Sequence, residues 1–115
     1  MQEQRPGSDI TIQYSKIGRD YLFIIAGGDE HIGAVSTAYR DPSTDEHEWV
    51  VQTNRVPGHK EYVLTEPMAQ QAASQLKTTV TVCAGIHYDN LSSAHIDAVV
   101  DHAWSQFLLM LSTLD

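Results

Sequence analysis

The chain has 115 residues, of which 42% are hydrophobic and 19% charged, a balance typical of one folded domain rather than of a disordered segment. Its 15 acidic residues outnumber its 7 basic ones, and the formal net charge of -8 argues against a nucleic acid or an anionic membrane as partner. Cys83 is the single cysteine, which excludes an internal disulfide, and because no apolar stretch approaches the roughly 20 residues of a membrane span we expect a cytoplasmic protein.

The first half of the chain predicts β-strands. Its apolar side chains alternate with polar ones or form short continuous runs, and the runs are separated by glycine-containing turns. The first two strands predict a hairpin, and a charged loop over Arg40–Glu48, which contains His47, separates the third from the fourth. The predicted strands are Asp9–Ser15, Tyr21–Gly28, His31–Tyr39 and Trp49–Asn54.

The second half of the chain changes to a helical period. Thr65 is the predicted N-cap of a first helix, with Pro67 in the first turn, where its missing N–H costs nothing. A β-branched strand over residues 78–85 follows, and a second helix starts at Ser92, with Leu91 and Ile96 placed around it as a hydrophobic staple. The apolar stripe of this second helix is so broad that we expect part of it to face another subunit.

The order β-β-β-β-α-β-α predicts an α+β fold. We expect a two-layer sandwich in which a mostly antiparallel sheet of four to five strands carries two helices on one face. Residues 1–8 are predicted to be a flexible N-terminus, and residues 9–115 to form a single domain.

Three segments near strand ends, which we call the glycine–histidine corners, combine glycine with histidine. Glycine permits close backbone approaches that a Cβ would block, and histidine can donate, accept, ligate a metal or titrate near neutral pH. If the strands lie side by side, the histidines converge on one rim of the sheet, next to helix N-termini that favour phosphate. The corners are Gly27–Gly33, Gly58–Glu61 and Gly85–Asn90, with His31, His59 and His87 as their histidines.

These residues admit other interpretations. Histidines in turns are often solvated or cap the turn, and Glu61 and Asp89 could serve as general bases. A metal ion would need ligands from distant segments, because the chain has no H-x-x-x-H, H-E-x-x-H or C-x-x-C spacing. His95 and His102 are interpreted as surface or interface residues of the second helix.

The pieces "GGDEHIGAVS", "GHKE" and "AGIHYDNLS", in this order, resemble the prenylated-flavin chaperones of the LpdD type. Members of that family are associated with decarboxylases that use prenylated FMN on aromatic acids such as gallate. The resemblance runs from about Tyr21 to the end of the last helix. It implies a non-catalytic carrier that binds prenylated FMN, or FMN as the alternative, and protects it or delivers it to such a decarboxylase. A flavin prenyltransferase is a further implied partner.

Carried over residue by residue, the resemblance implies a cofactor site drawn from all three glycine–histidine corners. Lys60 would be a natural partner for the phosphate as a point charge. Since a domain of this size buries a large cofactor poorly, we expect a homo-oligomer with the site at a subunit interface. The matching residues are Gly28, His31, Gly33, Gly58, His59, Lys60, Glu61, Gly85, His87, Asp89 and Asn90.

Two other classes of function remain open. A small oligomeric enzyme could use interface histidines and Glu61 for proton transfer on an aromatic or enolic acid. A structural or regulatory subunit would use the histidines only to cap turns. The sequence also departs from the family pattern at Pro67, where the helix should be under way, so we expect the segment after Glu61 to be extended.

Overall fold

The structure, a computed structural model, describes residues 7–43 and 48–114. Within these ranges the element order is β-β-β-β-α-β-α, which confirms the predicted α+β architecture. His47 and residues 1–6 of the predicted flexible terminus lie outside the described residues. The elements are β1 (Thr11–Ile17), β2 (Asp20–Gly28), β3 (Ala34–Arg40), β4 (Trp49–Arg55), α1 (Tyr62–Leu76), β5 (Val80–His87) and α2 (Ser93–Ser112).

The five strands form a single sheet in the order β1-β2-β5-β3-β4. β1 and β2 form the predicted hairpin, whose two-residue turn contains Gly18 in the left-handed region at φ 62°. β5 lies in the centre, parallel to β2 and antiparallel to β3, so the sheet is mostly antiparallel as predicted. This arrangement places the C-terminal ends of β2 and β5 at the same edge of the sheet.

The core lies between one face of the sheet and the two helices. Phe23 of β2 meets Phe107 of α2 edge to face, with ring centroids 5.2 Å apart, an arrangement that adds about 0.5–1.5 kcal/mol to the burial itself. On α1 the buried side chains are mostly small, which lets this helix pack close to the sheet. They are Leu64, Thr65, Met68, Ala69, Ala72 and Ala73.

The predicted start of α1 is wrong. The helix begins at Tyr62, so the segment after Glu61 is helical rather than extended. Thr65 is not an N-cap; it is fully buried, and its hydroxyl pairs with Ser36 Oγ at 2.7 Å. Pro67 lies on the exposed side of the helix, where its missing N–H removes one helical hydrogen bond, and packing of the buried face outweighs that loss.

The predicted third strand also begins too early. β3 starts at Ala34 rather than at His31. The N–H groups of Asp29 and Gly33 donate to carbonyl oxygens of β5, but between them the chain leaves the strand ladder and His31 packs over Gly85. A Cβ on Gly85 would lie 1.4 Å from the carbonyl oxygen of His31. This crossing of β5 therefore requires glycine at residue 85. In the sequence, Gly85 is indistinguishable from a glycine that simply ends a strand.

α2 confirms the prediction for its start. The Ser92 side chain accepts a hydrogen bond from the His95 N–H, as an N-cap does. His95 and His102 are exposed, and Leu108 and Leu109 are 42% and 70% exposed beside the buried stripe. Among the described residues, no helix is both long and apolar enough to cross a membrane.

We predict that Ser36→Ala destabilises the protein. Ser36 Oγ lies 2.7 Å from both Thr65 Oγ1 and Thr53 Oγ1, so its loss leaves the buried Thr65 hydroxyl without this partner. We expect the free energy of unfolding, measured by urea denaturation, to fall by about 1–3 kcal/mol.

Thr37→Ala is the matched control for Ser36→Ala. Thr37 pairs with Thr81 at 2.8 Å, but both are only partly buried, so water can replace the lost hydroxyl. A loss in Ser36→Ala no larger than that in Thr37→Ala would contradict the importance of the buried hydroxyl chain.

Candidate functional site

The three glycine–histidine corners meet at one edge of the sheet, beside the N-terminus of α1. The ring centroid of His31 lies 4.3 Å from that of His59 and 6.3 Å from that of His87. The predicted convergence of the three histidines is therefore confirmed. It follows from the topology, because the parallel pairing of β2 with β5 sets Gly28 directly beside His87.

Glu61 lies at the centre of this edge. Its Oε1 is 3.0 Å from His31 Nε2 and 3.9 Å from His59 Nδ1. The side chain is only 9% exposed, and Oε2 has no hydrogen-bond partner among the described residues. The position just before α1 favours a carboxylate, because the helix N-terminus carries a partial positive charge.

Two glycines create the space for this arrangement. A Cβ on Gly33 would lie 1.8 Å from Glu61 Oε2, and a Cβ on Gly85 would collide with the backbone of His31. At both positions another group lies where a Cβ would be, which is the close approach that the sequence predicted for these glycines. Gly33 admits the carboxylate, and Gly85 admits the segment that carries His31.

The remaining corner residues lie at more exposed positions. His87 is 50% exposed and its Nε2 lies 2.9 Å from Oδ1 of Asp89, which is itself 75% exposed. Asn90 adopts the left-handed region at φ 57° in the turn that leads to α2. Gly58 has φ 84° and faces open space, so it supports the turn before α1 rather than a close contact.

Sequence reasoning did not include Asp9 in the site. Its carboxylate accepts a hydrogen bond from the Tyr88 hydroxyl and another, at 2.9 Å, from the Gly28 N–H. Burial and the bond to Asp9 raise the pKa of Tyr88 to about 12, and the Tyr88 hydroxyl lowers the pKa of Asp9. The two residues are far apart in the sequence, so no local pattern could have revealed the pair.

A cavity of about 430 Å³ opens beside this edge, between α1 and α2. Its volume falls in the range of roughly 300–1,000 Å³ that small-molecule sites occupy. Its polar lining residues are Lys60, Glu61, His87 and Asn90, which lie just before α1 or at and after the end of β5, and we call this part of the lining the polar end. The rest of the wall is formed by Val63, Leu64, Ile86, Tyr88, Leu91, Ile96, Val99 and Val100.

The cavity and the predicted site overlap only in part. Lys60, Glu61, His87 and Asn90 line it, whereas His31 and His59 contact Glu61 without lining it. The apolar wall was missed, because residues such as Ile96 and Val99 belong to a helical stripe that usually packs into a core. Only the relative placement of the two helices turns that stripe into a wall.

Comparison with known proteins confirms the family resemblance of the sequence motifs. A family model described as the prenylated flavin chaperone LpdD-like domain matches residues 4–115. Protein LpdD of Lactiplantibacillus plantarum is 31% identical over 83 residues, which is 71% of this chain. The aligned segment spans 60% of the length of that relative.

Tyr88→Phe should change the stability of the protein at alkaline pH. A folded-state pKa raised from 10.0 to about 12 contributes stability that is complete below pH 10 and is lost as the pH rises through about 12. Tyr88→Phe removes this pH-dependent contribution, so its free energy of unfolding should fall less steeply across that window. Tyr14→Phe, at an exposed position on β1, is the control. Identical alkaline profiles for Tyr88→Phe and the unmodified protein would refute the assignment.

We also expect Gly85→Ala to be more destabilising than Gly18→Ala. The added methyl group at residue 85 meets backbone, which cannot rotate away, so the cost should be about 1–3 kcal/mol or more. At residue 18 the methyl group meets open space, and the left-handed backbone costs only about 1–2 kcal/mol. Thermal unfolding measures both variants. The reverse order of stability would show that His31 does not cross β5 as described.

Proposed function

This chain belongs to the family of LpdD-like prenylated flavin chaperone domains, and from this membership we propose that it binds prenylated FMN in the cavity between α1 and α2. The observation that carries the proposal is the division of the cavity into a polar end and an apolar wall. Prenylated FMN has the same division, with a phosphate and polar ring edges on one side and hydrocarbon on the other. Plain FMN is the alternative ligand.

The polar end supplies the groups that an anionic flavin needs. Among the described residues that line the cavity, Lys60 is the one lysine or arginine. In a chain of net charge -8 its positive charge attracts phosphate locally. His87 and Asn90 offer hydrogen bonds to the phosphate or to the polar edge of the ring. Glu61 also lines the cavity, and we propose that the other predicted corner residues hold the loops that carry these side chains.

The apolar wall suits the ring system of the cofactor. Ile86, Leu91 and Val99 can exclude water from the flat rings and from the prenyl-derived ring. The cofactor supplies the covalent chemistry of decarboxylation in the enzyme that receives it. The residues of this chain would bind it, orient it and limit its contact with water and oxygen.

The exposure of the polar end fits transfer of the cofactor. His87 is half exposed and Asn90 is exposed, so one end of a bound flavin would stay accessible to a second protein. We propose a prenylated-FMN-dependent aromatic acid decarboxylase as the recipient and a flavin prenyltransferase as the donor. In this role the chain is a carrier and performs no turnover.

Apolar side chains at the edge of the cavity support the predicted homo-oligomer. Val63 is 52% exposed and Ile96 is 49% exposed, and both line the cavity. A second copy of the chain that covered these side chains would also enclose the cofactor, which one small domain encloses poorly.

The alternative function, proton transfer on an aromatic or enolic acid, relies on Glu61. A buried carboxylate that contacts His31 at 3.0 Å has the hydrogen-bonding partner that a general base uses. This alternative predicts turnover of a small aromatic acid without any flavin, and loss of that turnover in His31→Ala with the fold retained.

The carrier proposal is tested by anaerobic titration with prenylated FMN and with FMN, followed by absorbance. We expect tight binding of the prenylated form. Lys60→Ala and His87→Ala should each weaken that binding about tenfold or more, because each removes one charge-assisted hydrogen bond to the flavin. His102→Ala, at an exposed position on α2, is the control and should bind as the unmodified protein does.

Absence of binding to either flavin would overturn the carrier proposal. Equal affinity in Lys60→Ala, His87→Ala and His102→Ala would show instead that the flavin binds elsewhere on the protein. A protein that binds no flavin should then be assayed with small aromatic acids.

A further inference from the structure

We propose that His31, His59 and Glu61 bind one divalent transition-metal ion of the zinc class. The side chains come from two separate loops, one between β2 and β3 and one before α1. One nitrogen from each histidine and one carboxylate oxygen lie within 4.8 Å of one another. We call these three side chains the His–His–Glu cluster.

The hydrogen bonding of His31 leaves a lone pair directed at Glu61. His31 Nδ1 lies 3.0 Å from the carbonyl oxygen of Asp29, which can only accept, so Nδ1 carries the proton. In the neutral ring Nε2 is then an acceptor, and it faces a second acceptor, Glu61 Oε1, at 3.0 Å. Two acceptors at that distance need a cation between them, either a proton or a metal ion.

The bond from His31 to Asp29 favours the metal ion. Histidines that bind metals usually donate the other ring N–H to a carbonyl or a carboxylate, which fixes the tautomer and the direction of the ligating nitrogen. His31 already makes this second contact, with the carbonyl oxygen of Asp29 two residues earlier in the same loop. Nε2 is thereby oriented before any ion binds.

The burial of Glu61 gives an independent reason for a cation. Its side chain is more than nine-tenths buried, and Oε2 has no hydrogen-bond partner among the described residues. Its described ion pairs are with His31 and His59, not with a lysine or an arginine. A buried carboxylate with an unpaired oxygen is costly, and a divalent ion offsets that cost.

The ligand types and distances suit zinc. Tetrahedral zinc with bonds of about 2.0–2.2 Å places neighbouring ligand atoms about 3.3–3.6 Å apart. The pair formed by His31 and Glu61, at 3.0 Å, must open slightly, and the pair formed by His59 and Glu61, at 3.9 Å, must close. His59 is 34% exposed, so its ring has room to turn.

Three protein ligands leave one zinc position open, as in sites that bind a further ligand. Glu61 also lines the cavity, so an ion bound to it would lie beside the polar end. Asp29, His87 and Asp89 form a second group with metal-ligand spacing, but all three are exposed and no buried unpaired atom accompanies them. The proposal therefore concerns the His–His–Glu cluster alone.

The proposal is tested by calorimetric titration of the chelator-treated, flavin-free protein with zinc chloride. We expect one equivalent of zinc to bind, and Glu61→Gln and His59→Ala each to weaken binding at least tenfold. Cobalt(II) should give the visible absorption of a tetrahedral site in the unmodified protein, and Glu61→Gln should lose it. Circular dichroism checks that each variant is folded. If Glu61→Gln does not fold, His59→Ala still tests the proposal, because the His59 side chain is partly exposed and its removal disturbs the core less.

His87→Ala and His102→Ala are the controls and should bind zinc as the unmodified protein does. Absence of zinc binding by the unmodified protein would overturn the proposal. So would folded Glu61→Gln and His59→Ala variants that bind zinc as tightly as the unmodified protein does. Loss of binding in His87→Ala alone would place the ion in the exposed group instead and would also overturn it. Because no flavin is present, a negative result leaves the carrier proposal intact.

Discussion

The burial of one carboxylate organises the functional edge of this protein. Glu61 ends the loop before α1, and its side chain turns inward to meet His31 and His59 rather than outward to water. The helix N-terminus favours the negative charge, and the absent side chain of Gly33 leaves space for it. Lys60, the neighbour of Glu61, is thereby placed at the cavity.

The sheet topology brings the other parts of the site to the same edge. Because β5 runs parallel to β2, both strands deliver their last residues there, Gly28 from one and His87 from the other. Asp9 then joins the two ends through the Gly28 N–H and the Tyr88 hydroxyl. Backbone pairing thus fixes the distance between corners that are far apart in the sequence, and the cavity beside them is lined by residues of both helices.

The fold could be predicted from the sequence because its signals are local. Alternating strands, the Ser92 cap and the change to a helical period gave the correct order of elements. The start of α1 was wrong, since Thr65 and Pro67 look like a helix start although the helix begins at Tyr62. Leu64 and Thr65 are buried in its first turn.

The site could be predicted only in part. The glycine and histidine pattern indicated which segments meet, and the structure confirms that their histidines converge. Neither the partnership of Asp9 with Tyr88 nor the apolar wall from α2 has a local signature, because both depend on contacts between distant segments.

The central position of β5 has a consequence for how the protein folds. β1 with β2 and β3 with β4 are antiparallel pairs of strands that are consecutive in the chain, and in the described sheet β5, the strand that follows α1, lies between the two pairs. Non-local pairing of this kind slows folding, because the entropy of a long loop must be lost before the strand pairing contributes any stability. An intermediate that lacked β5 would hold the two pairs of strands without the strand that joins them and without His87. Capacity to hold a ligand at this edge should therefore appear in the last step of folding, together with the completed sheet.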